Sequence, residues 1–234
     1  MASIKFSALV SEMRGKLNGS VFSKNRSGNY LRNKVTPVNP QSTDQQAVRS
    51  LLSSVSQSWR QLTQAQRDAW INASANFPYT DIYGDSKILS GQAFYNKLNL
   101  NLLKISAAMI TNPPSSSDLP SLSGVALTVT KSTGTSAVTV TADWTASDEP
   151  ANAEVLISAT PPVGAGISFV KNKFRDISVQ AIGAGPANIS AAYTGKFGTV
   201  EVGQKVFILL QVVDNETGLV SQPYQAYVIV TAVA

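Results

Sequence analysis

The chain has 234 residues, 43% hydrophobic and 14% charged, which is long enough for one large or two small globular domains. It contains no cysteine and no histidine, which excludes disulfides, thiolate nucleophiles, the usual zinc sites and any Ser-His-Asp arrangement. Residues 1–117 hold 13 basic and five acidic side chains, whereas residues 118–234 hold six and nine, so the two halves differ in the sign of their charge.

Residues 1–38 read as a basic extended arm. Met1 to Phe6 lacks the charged region, apolar stretch and cleavage site of a signal peptide. No apolar run approaches the roughly 20 residues of a membrane helix. The expectation is a chain that stays in the cytoplasm where it is made or leaves inside an assembled particle, with no membrane partner. Within the arm Lys5, Arg14, Lys16, Lys24, Arg26, Arg32 and Lys34 face one acid, Glu12. Asn25-Arg26-Ser27-Gly28-Asn29 reads as a turn that joins Lys16–Lys24 and Asn29–Val35 into a β-hairpin. Few of these side chains are apolar enough for a core, so the arm must lie on its own domain or on a neighbour.

Residues 39–111 read as a small helical domain, a three-helix bundle. Pro37 and Pro40 close the arm, and Thr43-x-x-Gln46 has the pattern of a capping box. Val48, Leu51, Leu52, Val55, Trp59 and Leu62 then recur at helical steps. A second box, Thr63-x-x-Gln66, opens a helix that carries Ala69, Trp70 and Ala73 and stops before Phe77-Pro78. Ser90 caps a third, with Phe94, Leu98, Leu102, Ile105 and Met109 on its apolar face. Residues 112–120, rich in proline and serine, read as a linker. Beyond it, residues 121–234 alternate as strands do, at Val125-Leu127-Val129, Val138-Val140-Ala142-Trp144, Val155-Ile157-Ala159, Ile177-Val179-Ala181 and Val206-Ile208-Leu210-Val212. Turn clusters break them, which predicts a β-sandwich. From Thr217 to Ala234 there is no charge, and both faces of the last strand are apolar. Its outer face is expected to be covered by other parts of the chain or by a neighbour, unless the strand is central.

The candidate binding residues are Lys16, Lys24, Arg26, Arg32 and Lys34. They suit an acidic protein surface or, as the second reading, a phosphate backbone. Against the second, Arg49, Arg60 and Arg67 are scattered and make no basic recognition face. Trp59 and Trp70 are expected to pack on each other with Arg60 and Arg67 over their faces; a carbohydrate-stacking site is the alternative. Trp144 reads as a core aromatic. Asp148-Glu149 and Asp214/Glu216 are the carboxylate pairs open to acid–base or calcium chemistry, but they lie in turn sequences without calcium-loop spacing. Gly164-Ala165-Gly166 and Gly183-Ala184-Gly185 lack the lysine of a phosphate loop. No enzyme activity, metal or cofactor is expected.

Several strings taken together carry a resemblance. They are Gly15-Lys16-Leu17-Asn18-Gly19-Ser20-Val21-Phe22-Ser23-Lys24-Asn25-Arg26, Gly28-Asn29-Tyr30-Leu31-Arg32, Pro37-Val38-Asn39-Pro40-Gln41-Ser42-Thr43 with Gln46, Trp59-Arg60-Gln61-Leu62-Thr63 and Gln66-Arg67-Asp68-Ala69-Trp70. Over about residues 14–100 the chain resembles an N-terminal module of structural proteins of tailed phages, including phages of the Bacteroidetes and the crAss-like group. The C-terminal half resembles an immunoglobulin or fibronectin type III sandwich in pattern, with Val206-Phe207-Ile208 through Asp214, Gly218 and Pro223 like its last hairpin. The resemblance implies a capsid-associated auxiliary or decoration protein of the virion. Its partners would be the major capsid protein or other virion proteins, and a homo-oligomer is possible. The alternatives are a nucleic-acid-binding accessory protein acting through the arm and a carbohydrate-binding adhesin acting through the sandwich.

Overall fold

The computed structural model of the chain describes residues 2–25, 28–80, 85–115, 119–135, 137–147 and 152–233. The architecture is mixed α+β, with four α-helices and four sheets among the described residues. Contacts divide it into two units, Met1–Gln46 and Ala47–Ala234.

The first unit is built on β1 (Ala2–Ser3), β2 (Gly15–Leu17), β3 (Ser20–Asn25) and β4 (Gly28–Asn33), in the order β1-β4-β3-β2. The expected hairpin is β3 with β4, in register from Ser20 opposite Asn33 to Asn25 opposite Gly28. A second hairpin joins β2 to β3. Asn18-Gly19 turns β2 back onto β3, Leu17 lies opposite Ser20, and Asn18 takes φ of 50°. Asn-Gly tolerates the left-handed backbone that two-residue hairpin loops need, so the signal was present in the sequence.

The helices are α1 (Thr43–Gln61), α2 (Gln64–Ser74) and α3 (Gly91–Lys104), with the short strands β5 (Tyr79–Thr80) and β6 (Ser86–Lys87) paired between the last two. The box expected at Thr43 does not form. Thr43 is already helical, and the amide of Gln45 donates to the Ser42 hydroxyl at 3.4 Å while that of Gln46 donates to the Ser42 carbonyl at 2.9 Å. Ser is the stronger N-cap of the two, and here it takes the position one residue ahead of the expected box. The second box is complete: the Gln66 amide donates to Thr63 Oγ1 at 3.3 Å and the Thr63 amide to Gln66 Oε1 at 2.9 Å. Ser90 Oγ accepts from the Ala93 amide at 3.3 Å and starts α3.

Val55, Leu62, Trp70, Phe94, Tyr95 and Leu98 form the buried cluster of the helices. Trp59 and Trp70 do not stack on each other. Each lies 5.2 Å from the ring of Tyr95, whose residue on α3 serves both, and Trp70 also meets Phe94 edge-on. The arginines do not cover them either; Arg67 Nη2 donates to the Arg60 carbonyl at 2.8 Å and ties the start of α2 to the end of α1. The predicted apolar face of α1 is used in its second half: Val55 is fully buried, whereas Val48 and Leu52 are exposed.

The remaining strands are β7 (Leu122–Ser132), β8 (Val138–Ala146), β9 (Ala153–Ala159), β10 (Arg175–Ala181), β11 (Ala187–Asn188), β12 (Lys205–Asp214), β13 (Tyr224–Ile229) and β14 (Thr231–Val233), with α4 (Ser190–Phe197) between β11 and β12. They form two four-stranded sheets, β11-β8-β7-β14 and β10-β9-β12-β13. Val129, Val140 and Trp144 from one sheet and Val155, Ile157, Ile208 and Leu210 from the other belong to one buried cluster. Trp144 is the core aromatic expected, and its indole N–H donates to the Ile182 carbonyl at 2.7 Å. Gly185 is required beside it, since a Cβ there would stand 2.5 Å from the Trp144 carbonyl oxygen. Tyr193 is buried with its hydroxyl on the Thr160 carbonyl, and burial pushes its phenol pKa up.

The helices and the two sheets belong to the same unit. Ile105 is buried with Leu156 and Val213, Leu219 packs on the helical cluster, and Asn101 Nδ2 donates to the Gly218 carbonyl at 3.0 Å. The expected linker at 112–120 therefore joins two parts that share packing, and the division by contacts falls at Gln46/Ala47 instead. Its near end is already held, with the Thr111 carbonyl accepting from Trp70 Nε1 at 2.9 Å. Ser116, Ser117 and Asp118 lie outside the described residues.

The last strand is not central. β13 is the edge of one sheet, and after Val230 the chain crosses to the other, where β14 runs parallel to β7. Tyr224, Ala226 and Val228 turn toward the core, while Tyr227 and Ile229 are exposed. Within this chain the outer face is left exposed rather than covered by the helices or the linker, and Lys205 Nζ lies 3.9 Å from the centre of the Tyr227 ring. A cation over a ring blunts an apolar edge. Val228→Lys should thus cost about 2 kcal/mol or more by burying a charge, and Ile229→Lys should stay within about 0.5 kcal/mol. Urea unfolding of both variants checks this; equal losses would contradict the assigned faces.

Candidate functional site

The sheet of residues 1–46 gathers the basic side chains singled out by sequence, and register decides which of them share a face. Lys16 lies opposite Val21, and Val21 opposite Arg32, so these three form one row across β2, β3 and β4. Tyr30 shares that face, two residues along β4. Lys24 belongs to the other face, with Phe22 and Leu31, by the strict alternation of strands. Lys34 follows β4 directly, its amide donating to the Gly19 carbonyl at 2.8 Å. Arg26 lies outside the described residues. The five candidates are thus not one patch.

Their electrostatics differ as well. Glu12 Oε1 accepts from Arg14 at 2.8 Å and lies 3.5 Å from Lys24 Nζ. The hydrogen bond and charge of Arg14, helped by Lys24, hold the Glu12 carboxyl below the usual carboxylate range. Lys24 is therefore partly balanced. Lys16, Arg32 and Lys34 form no ion pair among the described residues, so their charge remains available to a partner.

The apolar side chains around them were not singled out by sequence. Leu9 is 95% exposed and Val38 is 86% exposed, and Leu17 and Val35 are exposed too. Val21 is the one buried apolar residue among the described residues of this unit. A cavity of about 560 Å³ lies within the same unit, between the segment from Ile4 to Ser11 and the residues Gly28 and Asn29. The Asn29 side-chain oxygen is buried there without a hydrogen-bond partner. The signal for this apolar character lay in Leu9, Leu17, Val35 and Val38 themselves, four aliphatic residues in a stretch otherwise read for charge.

The other candidates have structural duties. Asp214 Oδ1 accepts from the Glu216 amide at 2.8 Å and Oδ2 from the Thr217 hydroxyl at 2.7 Å, while Glu216 accepts from Asn152. These two carboxylates shape their turn. Asp148 and Glu149 lie outside the described residues. Among the described residues no three acidic side chains converge as metal ligands, and no helix is long and apolar enough to cross a membrane. No protein-family model matches the chain, and no curated protein matches it.

Proposed function

We propose that the protein is a non-catalytic structural component of a tailed-phage particle, a capsid-associated auxiliary or decoration protein. Its N-terminal sheet docks on the major capsid protein or another virion protein, and its C-terminal part projects or bridges to another component. The observation that carries this reading is the make-up of residues 1–46. A small sheet with one buried apolar side chain has almost no core of its own, and such sheets are marginal in water. Exposed aliphatic residues offer roughly 25 cal/mol per Å² buried, and Lys16, Arg32 and Lys34 offer complementarity to an acidic surface.

The finer architecture belongs to the same proposal. The two-sheet part is an immunoglobulin or fibronectin III-like sandwich. Supporting it, the chain makes the β7–β8 hairpin in one sheet and β9–β10 in the other. It then returns to place β11 beside β8, and crosses again to place β12 beside β9. Such crossings are the Greek-key pattern of these sandwiches. The helices α1, α2 and α3 act as a small three-helix bundle seated at one end of it, as the shared cluster of Ile105, Leu156 and Val213 suggests.

The test is rebinding of purified protein to particles that lack it. The triple variant Lys16→Gln, Arg32→Gln, Lys34→Gln should lose at least about tenfold in docking with a melting temperature within about 2 °C of the parent, since exposed charges stabilise little. Lys24→Gln should do less, because Glu12 already balances it. Unchanged docking by the triple variant would overturn the reading. So would tight, steeply salt-dependent binding to random duplex DNA, the signature of counterion release from phosphates. Mass spectrometry of purified particles places the protein in the virion or removes it.

A further inference from the structure

We propose that the outer face of the sheet β10-β9-β12-β13 carries a binding site for a neutral glycan, built from one cross-strand row of side chains and a protruding phenylalanine. The inference stands independently of the docking role of the N-terminal sheet.

Asp176 lies opposite Ser158, Ser158 opposite Leu209, and Leu209 opposite Gln225. These four residues therefore make one row across all four strands, on one face, and Gln211 shares that face two residues along β12. The row floors a cavity of about 530 Å³, walled by Phe169, Phe174 and Pro223. That is the size of a small-ligand site.

The chemistry of the row is specific. The Asp176 carboxylate is held from two sides: Oδ1 accepts from the Ser158 hydroxyl at 2.8 Å, and Oδ2 lies 3.4 Å from Lys104 Nζ on α3. The backbone carbonyl of Asp176 accepts from Lys196 at 3.2 Å. Each carboxylate oxygen keeps acceptor capacity for a ligand hydroxyl. Beside it, Gln211 and Gln225 each present both donors and an acceptor on a planar amide. This is a set that matches vicinal hydroxyls, which donate and accept together. Lys104 pairs with Asp176 and Lys171 also lines the cavity, so the single carboxylate is offset and the site does not select a cation.

The wall supplies the complementary half. Phe169 is 75% exposed, a large apolar ring with no polar tip, and it lines the same cavity as the polar side chains of the row. An isolated ring in that position loses water when a flat C–H face stacks on it. Pyranoses carry such a face on one side and hydroxyls at their rim. Leu209, half-buried between Ser158 and Gln225 in the row, adds an apolar side chain to the floor of the same cavity.

The experiment applies the full chain to an array of oligosaccharides of glucose, galactose, mannose and N-acetylglucosamine, followed by titration with the best binder. At least one of them should bind. Phe169→Ala should then weaken binding about tenfold, and Gln225→Ala should weaken it severalfold. Both residues are exposed, so circular dichroism should show both variants folded. The arm variant Lys16→Gln, Arg32→Gln, Lys34→Gln should bind sugar as the parent does, which keeps this result separate from docking. No binding to any of these sugars at 10 mM, a concentration chosen at about ten times a weak millimolar Kd, would overturn the proposal. So would binding that neither Phe169→Ala nor Gln225→Ala weakens.

Discussion

Replacing Gly218 by valine is expected to lower the free energy of unfolding by about 3 kcal/mol or more. Two causes combine. Gly218 takes φ of 70°, in the left-handed region where a β-branched residue is strained by roughly 1–3 kcal/mol. A Cβ there would also run into the Leu98 carbonyl and come within 3.0 Å of Leu102 Cγ. The contact lies where the turn after β12 meets α3: Gly218 donates its amide to the Asp214 carbonyl at 2.9 Å and receives Asn101 on its own carbonyl. Neither neighbour moves easily, because Leu98 and Leu102 are buried. The valine variant thus forces α3 off the sheet or distorts the turn. Urea unfolding of parent and variant measures the loss, with a single transition expected in the parent because helices and sheets share buried residues. A change under about 0.5 kcal/mol, or separate transitions in the parent, would show that α3 and the turn do not pack together in solution.

Trp70→Ala should cost about 3–5 kcal/mol, the range for deleting a fully buried large aromatic. Trp70 has no exposed surface, meets Tyr95 and Phe94 edge-on, and hydrogen-bonds the Thr111 carbonyl. Truncation leaves a void that Tyr95 cannot fill, since its hydroxyl is engaged at 2.9 Å with Ser58 Oγ and its ring also serves Trp59. Trp70→Phe separates packing from hydrogen bonding. It keeps most of the ring but leaves the Thr111 carbonyl without its donor, at about 1–3 kcal/mol. Denaturation midpoints for the two variants should therefore fall in the order parent, Phe, Ala. A Phe variant as damaged as the Ala variant would mean that the bond to Thr111, rather than the aromatic cluster, supplies most of the stability Trp70 contributes.

These two positions were not equally visible in the sequence. Trp70 stood at helical spacing in a segment opened by Thr63 and Gln66, and its burial followed from the pattern. The helix starts at Thr63 and Ser90 and the alternation of Val155-Ile157-Ala159 were legible for the same reason. Caps and periodicity act within a few residues of chain, where sequence neighbours are also neighbours in space. The charge of the N-terminal segment was legible too, because a count of Lys and Arg needs no structure.

What the sequence left open were the contacts that join distant residues. The period of a strand tells which side chains share its face but not which strand lies beside it. The separation of Lys24 from Lys16 and Arg32 therefore needed register, and so did the row Asp176-Ser158-Leu209-Gln225. The wedge of Tyr95 beside both tryptophans needed the placement of α3, from 25 residues beyond Trp70. Gly218 read as an ordinary turn residue until α3 was set against it. By itself, the sequence determined the helix starts at Thr63 and Ser90, the strand periodicities, the charge of the arm and the exclusion of cysteine and histidine chemistry, all of them local or compositional. Only the tertiary structure decided that the separate cores of helices and sheets meet through Ile105, Leu156 and Val213, that the last strand is an edge which changes sheets, and which polar groups meet across the outer face. Each of those depends on residues brought together across tens of positions, where loop closure and packing, rather than local preference, set the outcome.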